Sequence, residues 1–156
     1  MLDNTVAGGI ISGQTPFETV VREAAEEASL PEDFIRKRAK AVGTVTYIHE
    51  RDKRAGGETG LLQPECEYVY DLEIKADEHV IPKPNDNEVE SFSLLSLAHL
   101  KAALARGEFK PNCAFVLIDF FIRHGILTPE NEPDYLEIVT RLHRRLDHAM
   151  CREVEL

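Results

Sequence analysis

AGGIISGQTPFETVVREAAEEASL, residues 7–30, places a glycine-rich turn directly before a segment whose apolar and acidic residues fall on different sides. Gly8, Gly9 and Gly13 precede Thr15-Pro16, a good N-cap residue followed by the residue best suited to the first helical position, so a helix is predicted from residue 16. Pro31 disfavours helical backbone before it, which ends the helix near Ala28. At about 100° per residue Phe17, Val20, Val21, Ala24 and Ala28 form one stripe, while Glu23, Glu26 and Glu27 project from the other side. The stripe ties the helix to a core and leaves the carboxylates clustered. Like charges three or four positions apart cost a helix roughly 0.2–0.5 kcal/mol per pair, so the cluster calls for a counter-charge. A solvated acidic face beside Arg22 is the plainest way to meet that need. One or two hard divalent cations, which take oxygen ligands and bridge to phosphates, are the chemical way.

Around this segment the patterning alternates between strand and helix. A second short helix is expected over residues 32–39. AVGTVTYIHE, residues 41–50, and ECEYVYDLEI, residues 65–74, read as paired strands rich in β-branched and aromatic side chains. The charged, glycine-rich connection between them, residues 51–64, is expected to be a long surface loop able to cover a ligand. A proline-rich stretch leads into VESFSLLSL, residues 89–97, expected as a last strand running up to Ser96 as a helix cap. Helices are then predicted over 97–106, 112–124 and 133–152, the first two closed by Gly107 and Gly125. This order of elements predicts an α/β fold.

Composition narrows the function. The 156 residues fit one domain, with 43% hydrophobic residues to build its core. Eighteen Lys and Arg against 28 Asp and Glu leave a net charge of −10, which repels a nucleic-acid backbone. The longest apolar stretch, residues 113–122, is too short to span a bilayer and contains Asp119, so no membrane partner is expected. Cys66, Cys113 and Cys151 are scattered, without zinc-ligand spacing, and read as reduced structural thiols of a cytoplasmic protein.

The opening stretch resembles the Nudix box, G-x5-E-x7-R-E-U-x-E-E-x-G-U. Gly8, Arg22, Glu23, Ala24, Glu26, Glu27 and Leu30 match it, and Gln14 and Ser29 replace its first glutamate and last glycine. The resemblance implies a Nudix-like α/β/α sandwich with a mixed sheet, residues 1–156 forming the domain, with extra C-terminal helices from about residue 111. It implies hydrolysis of a small-molecule diphosphate with Mg²⁺ or Mn²⁺ as cofactor. Glu23, Glu26 and Glu27 would be metal ligands together with the Gly8 carbonyl, Glu23 and Glu26 would act in catalysis, and Arg22 would orient the glutamates. Glu88 and Glu90 stand where such enzymes often place an extra glutamate, and Tyr68 and Tyr70 are candidates to stack a substrate ring. The family's domain begins with strands before the glycine loop, whereas seven residues precede Gly8 here, so the sheet is expected to be incomplete at its N-terminal side.

Beyond the box, LDNTVAGG, PFETVVREAAEEASLPED, LLQPECEYVYDLEI, PKPNDNEVESFSLLSL and GEFKPNCAFVLIDFFIRHGILTPENEPDYLEIVTRLHR are together similar to thiamine pyrophosphokinase-related Nudix proteins of fungi and plants. In that group the box often lacks its first glutamate and ends EEASLP, as here. The similarity implies cleavage of thiamine diphosphate, or of its damaged oxo and oxy analogues, to the monophosphate and phosphate. Two other readings stand beside it: a Nudix hydrolase of another nucleoside diphosphate derivative, and a catalytically inactive Nudix-fold binding module.

Overall fold

The computed structural model describes residues 1–50, 59–85 and 88–146. Most of the connection expected to cover a ligand, and Cys151, lie outside the described residues. In chain order the elements are α1 (Pro16–Ala28), α2 (Glu32–Arg38), β1 (Lys40–Glu50), β2 (Leu62–Asp71), α3 (Leu97–Ala105), α4 (Pro111–Arg123) and α5 (Tyr135–Leu142). The α/β class is therefore as expected. The sheet is narrower than expected: among the described residues β1 and β2 form an antiparallel two-stranded sheet rather than a mixed one.

The chain divides into two compact units, Met1–Gly43 with Val69–Leu117, and Thr44–Tyr68 with Ile118–Leu156. In the first, α1 starts where Thr15 Oγ1 accepts the Glu18 amide at 3.2 Å, satisfying one of the orphan donors of the first turn. Its apolar stripe is buried as Val21, Ala24 and Ala28, and joins Leu30 and Ile35 in a cluster flanked by Val6, Phe17, Val20 and Phe92. Burying a valine or isoleucine fully contributes about 1.5–3 kcal/mol, so this stripe fixes which face of α1 stays outside. The end of α1 is closed by Ser29 in the left-handed region, φ 53°, from which the Ser29 and Leu30 amides fold back onto the Ala24 carbonyl. Lys83 then donates its amide to the Ala28 carbonyl at 2.9 Å, and Asn85 its side-chain amide to the Ala25 carbonyl at 3.3 Å. The proline-rich stretch thus serves as a strap that satisfies carbonyls at the end of α1.

The strand expected over residues 89–97 does not form. Phe92 holds this segment to the α1 cluster through its side chain, and Leu94 is fully exposed, so packing rather than a hydrogen-bonded ladder fixes the path. A smaller cluster, Ala103, Phe109 and Cys113, packs with Leu2, Leu100 and Leu104. Leu2 makes a parallel bridge to Phe109, its amide donating to the Glu108 carbonyl at 2.8 Å and its carbonyl accepting from Lys110 at 3.0 Å. Asp3 beside it takes the Cys113 thiol at 2.8 Å and pairs with Lys110.

In the second unit, Val45 and Tyr47 are the buried alternate residues of β1, and Phe121 and Leu142 are buried on the helices. Asp119, also buried, is paired with Arg123 one turn later at 2.7 Å. β2 begins at Leu62 rather than residue 65. Pro64 fits inside it because an edge strand needs no amide there. The last helix, expected to reach residue 152, ends at Leu142. Arg144 then exchanges hydrogen bonds with Thr46, amide to carbonyl at 3.0 Å and hydroxyl to carbonyl at 2.8 Å, which draws the chain into a bridge alongside β1.

Candidate active site

The outer side of α1 carries Arg22, Glu23, Glu26 and Glu27, and the segment before the helix lies against it. Arg22 extends two nitrogens to two carboxylates, Nη2 to Glu23 Oε1 at 2.6 Å and Nη1 to Glu26 Oε2 at 2.8 Å. Partial desolvation lowers the pKa of this guanidinium, but its hydrogen bonds to Glu26 and Glu23 and their charges outweigh that and raise it. The repulsion expected along this face is thereby offset by one cation supplied from the same helix.

Glu23 and Glu26 differ in freedom. The Glu23 side chain is 13% exposed and that of Glu26 is 55% exposed. Glu27 Oε2 accepts the Ala7 amide at 3.1 Å, which ties the glycine loop to the helix. Gly8 then passes over Glu23 so closely that an ideal Cβ at Gly8 would stand 2.0 Å from Glu23 Oε1. Only a residue without a side chain allows that approach, so backbone and carboxylate are brought together by the sequence itself.

Among the described residues no three acidic, imidazole or thiol groups are already gathered to hold a metal ion. Arg22 occupies the space between Glu23 and Glu26. The donor chemistry nonetheless suits Mg²⁺ or Mn²⁺: the groups are hard oxygens, the Glu23 carboxylate lies against Gly8, and the Glu26 carboxylate is more than half exposed beside Arg22. Magnesium sites commonly take one or two protein carboxylates and complete their shell with water and substrate phosphate.

The other expected site residues are more dispersed. Glu88 and Glu90 are exposed and follow closely on the strap that Asn85 anchors to α1. Tyr70 leans on Phe17, their ring centres 5.9 Å apart, so its ring packs against α1. Tyr68 is 52% exposed. His79 and His99 are exposed, and the His99 amide donates to the Ser96 hydroxyl that caps α3. His49 is partly buried, 4.0 Å from Glu65. Tyr47, 3% exposed, places its hydroxyl on both Glu65 and Glu67, at 2.6 Å from the latter, and burial followed by these two carboxylates raises its pKa. The alternation of β2 shows that Glu65 and Glu67 share a face, but nothing in the sequence pairs them with Tyr47.

Two features of the α1 site have no counterpart in the sequence reading. One is the Ala7 amide on Glu27, a backbone contact that leaves no side-chain signature. The other is the side chain of Gln14, which accepts from Thr19 and Arg22. Gln14 stands before the N-cap Thr15, so helical spacing alone does not place it beside Thr19 and Arg22.

The NUDIX domain profile matches residues 2–113. The chain is 50% identical over 150 residues to an uncharacterized protein of Saccharomyces cerevisiae, a match covering 94% of this chain and 43% of that protein. It is 38% identical over 146 residues to Nudix hydrolase 20, chloroplastic, of Arabidopsis thaliana, covering 93% of this chain and 36% of the relative. It is 36% identical over 151 residues to Nudix hydrolase 24, chloroplastic, of the same plant, covering 96% and 37%. The chain thus spans about two fifths of the length of these curated relatives. No helix among the described residues is long and apolar enough to cross a membrane. With its glycine loop held against the glutamates of α1 and the family profile covering that whole region, the chain belongs to the Nudix family.

Proposed function

We propose that the chain carries the hydrolytic site of a metal-dependent Nudix hydrolase acting on a small-molecule diphosphate. The observation that carries this reading is the contact of Gly8 with Glu23, reinforced by Arg22 between Glu23 and Glu26. Glu23, Glu26, Glu27 and the Gly8 carbonyl would hold the cation. When bound, Mg²⁺ or Mn²⁺ supplies charge neutralisation to the phosphate oxygens and the leaving group. Glu23 takes a proton from the attacking water as its oxygen bonds to phosphorus, while the bond from phosphorus to the bridging oxygen breaks. Arg22 keeps the carboxylates oriented and neutralises their charge before substrate arrives. Residues 1–156 act as one Nudix domain, in a cytoplasmic protein.

The substrate we favour is thiamine diphosphate or its oxo and oxy analogues, yielding the monophosphate and phosphate. Support comes from the similarity of the segments quoted above, and Tyr68 is a candidate to stack the substrate ring. Tyr70, Glu88 and Glu90 are further substrate candidates.

The test is release of a monophosphate or of phosphate from a panel of thiamine and nucleoside diphosphate derivatives with Mg²⁺, comparing the wild type with Glu26→Gln and Glu27→Gln. Release from thiamine compounds that the substitutions reduce about a hundredfold or more supports the reading. Release confined to nucleotide compounds supports the family activity and overturns the substrate. No release from any compound favours a binding module.

A further inference from the structure

Gln14 closes the turn before α1. Its amide donates to the Ile11 carbonyl at 3.1 Å, a reversal that Gly13 permits with φ +83°. The Gln14 side chain then reaches along the first turns of the helix. Thr19 Oγ1, buried, lies 3.1 Å from Gln14 Oε1 and 3.1 Å from the Thr15 carbonyl. Arg22 Nε lies 3.4 Å from the same Gln14 oxygen. A guanidinium has donors and no acceptor, so the amide must turn its oxygen toward Arg22, and a donating Thr19 hydroxyl favours the same orientation. The two terminal nitrogens of Arg22 are the ones that reach Glu23 and Glu26.

We propose that Gln14 is a positioning residue for Arg22: its amide oxygen, oriented by Thr19, holds the Nε edge of the guanidinium so that both terminal nitrogens face the carboxylates. This rests on reading the α1 face as a hydrolytic site. The neutral acceptor has a chemical consequence. An amide oxygen orients Arg22 without neutralising it, so its full charge acts on Glu23, Glu26 and an approaching phosphate. A carboxylate at this position would share that charge.

The test observes the Arg22 Nε–H signal by ¹⁵N NMR in the metal-free protein, with Gln14→Met, Thr19→Val and Gln14→Glu beside the wild type. Gln14→Met keeps the length and removes the acceptor, and is expected to speed exchange of that proton with water about tenfold. Thr19→Val, close in shape and lacking the hydroxyl, should give a smaller change in the same direction. Gln14→Glu should restore slow exchange. In turnover, Gln14→Met should lower kcat with little change in KM. An Nε–H as slow in Gln14→Met and Thr19→Val as in the wild type overturns the proposal, as does Gln14→Glu failing to restore it. The NMR measurement uses neither metal nor substrate, so a wild type that shows the expected exchange but hydrolyses nothing would sink the hydrolytic reading and leave the Gln14–Arg22 contact standing.

Discussion

Gly8 lies against Glu23 so tightly that a Cβ on Gly8 would be 2.0 Å from Glu23 Oε1 and 2.1 Å from Cδ. The obstructing atoms are the far end of a flexible side chain, so Gly8→Ala would be accommodated by displacing the carboxylate rather than by unfolding. We expect stability to change by no more than about 1 kcal/mol, while diphosphate hydrolysis falls about a hundredfold, the usual cost of moving a reacting group by an ångström. Thermal unfolding and turnover measured on the same preparation check both halves.

Ser29 adopts φ 53° at the end of α1, alone among the described non-glycine residues in taking a positive φ. The left-handed region costs an ordinary residue about 1–2 kcal/mol, and glycine avoids this at the expense of more freedom lost on folding. Ser29→Gly should therefore raise stability by about 0.5 kcal/mol, or roughly 1–2 °C in Tm. Ser29→Val, which adds a branched side chain to the same backbone, should lower it. Matched thermal scans of the three proteins decide the sign.

Burial opposes ionisation of Asp3, but the Cys113 thiol, Lys110 and the Asn4 amide more than offset it and lower its pKa below the ordinary 3.8. A lowered folded pKa stabilises the native state fully above the ordinary value, and the stabilisation is lost as pH falls through the folded value. The docking of the first residues against Phe109 should thus hold at neutral pH and loosen as pH falls below the ordinary 3.8 and through the lowered folded value. Amide exchange at Leu2 and Lys110, the two donors of that bridge, should accelerate over this acid range in the wild type. In Asp3→Asn it should be fast and independent of pH once intrinsic exchange is divided out.

α1 was legible from sequence because every local signal agreed: Thr15 and Pro16 at its start, Pro31 beyond its end and an apolar stripe between them. The caps of α3 at Ser96 and Gly107 were legible for the same reason. The segment after Val89 carried strand-like residues, but a strand also needs a partner edge, and the anchoring of Phe92 against α1 is a tertiary fact that local patterning does not contain. The early end of α5 likewise comes from Thr46, far away in sequence. Within the candidate site, helical spacing exposed Glu23, Glu26 and Glu27, and the resemblance to the Nudix box singled out Gly8. The Gln14–Thr19–Arg22 contacts needed the turn at Gly13 to be built before their geometry could be seen.

If the outer face of α1 holds a divalent cation for diphosphate hydrolysis, the protein binds Mn²⁺ there, and electron paramagnetic resonance follows that binding without substrate. Wild type, Glu26→Gln and Glu27→Gln would be titrated in parallel, with Tm recorded to show that each is folded. Each substitution should weaken Mn²⁺ binding about tenfold or more, the scale expected on losing a charged ligand. Unchanged Mn²⁺ binding in both folded variants would contradict a cation site on this face.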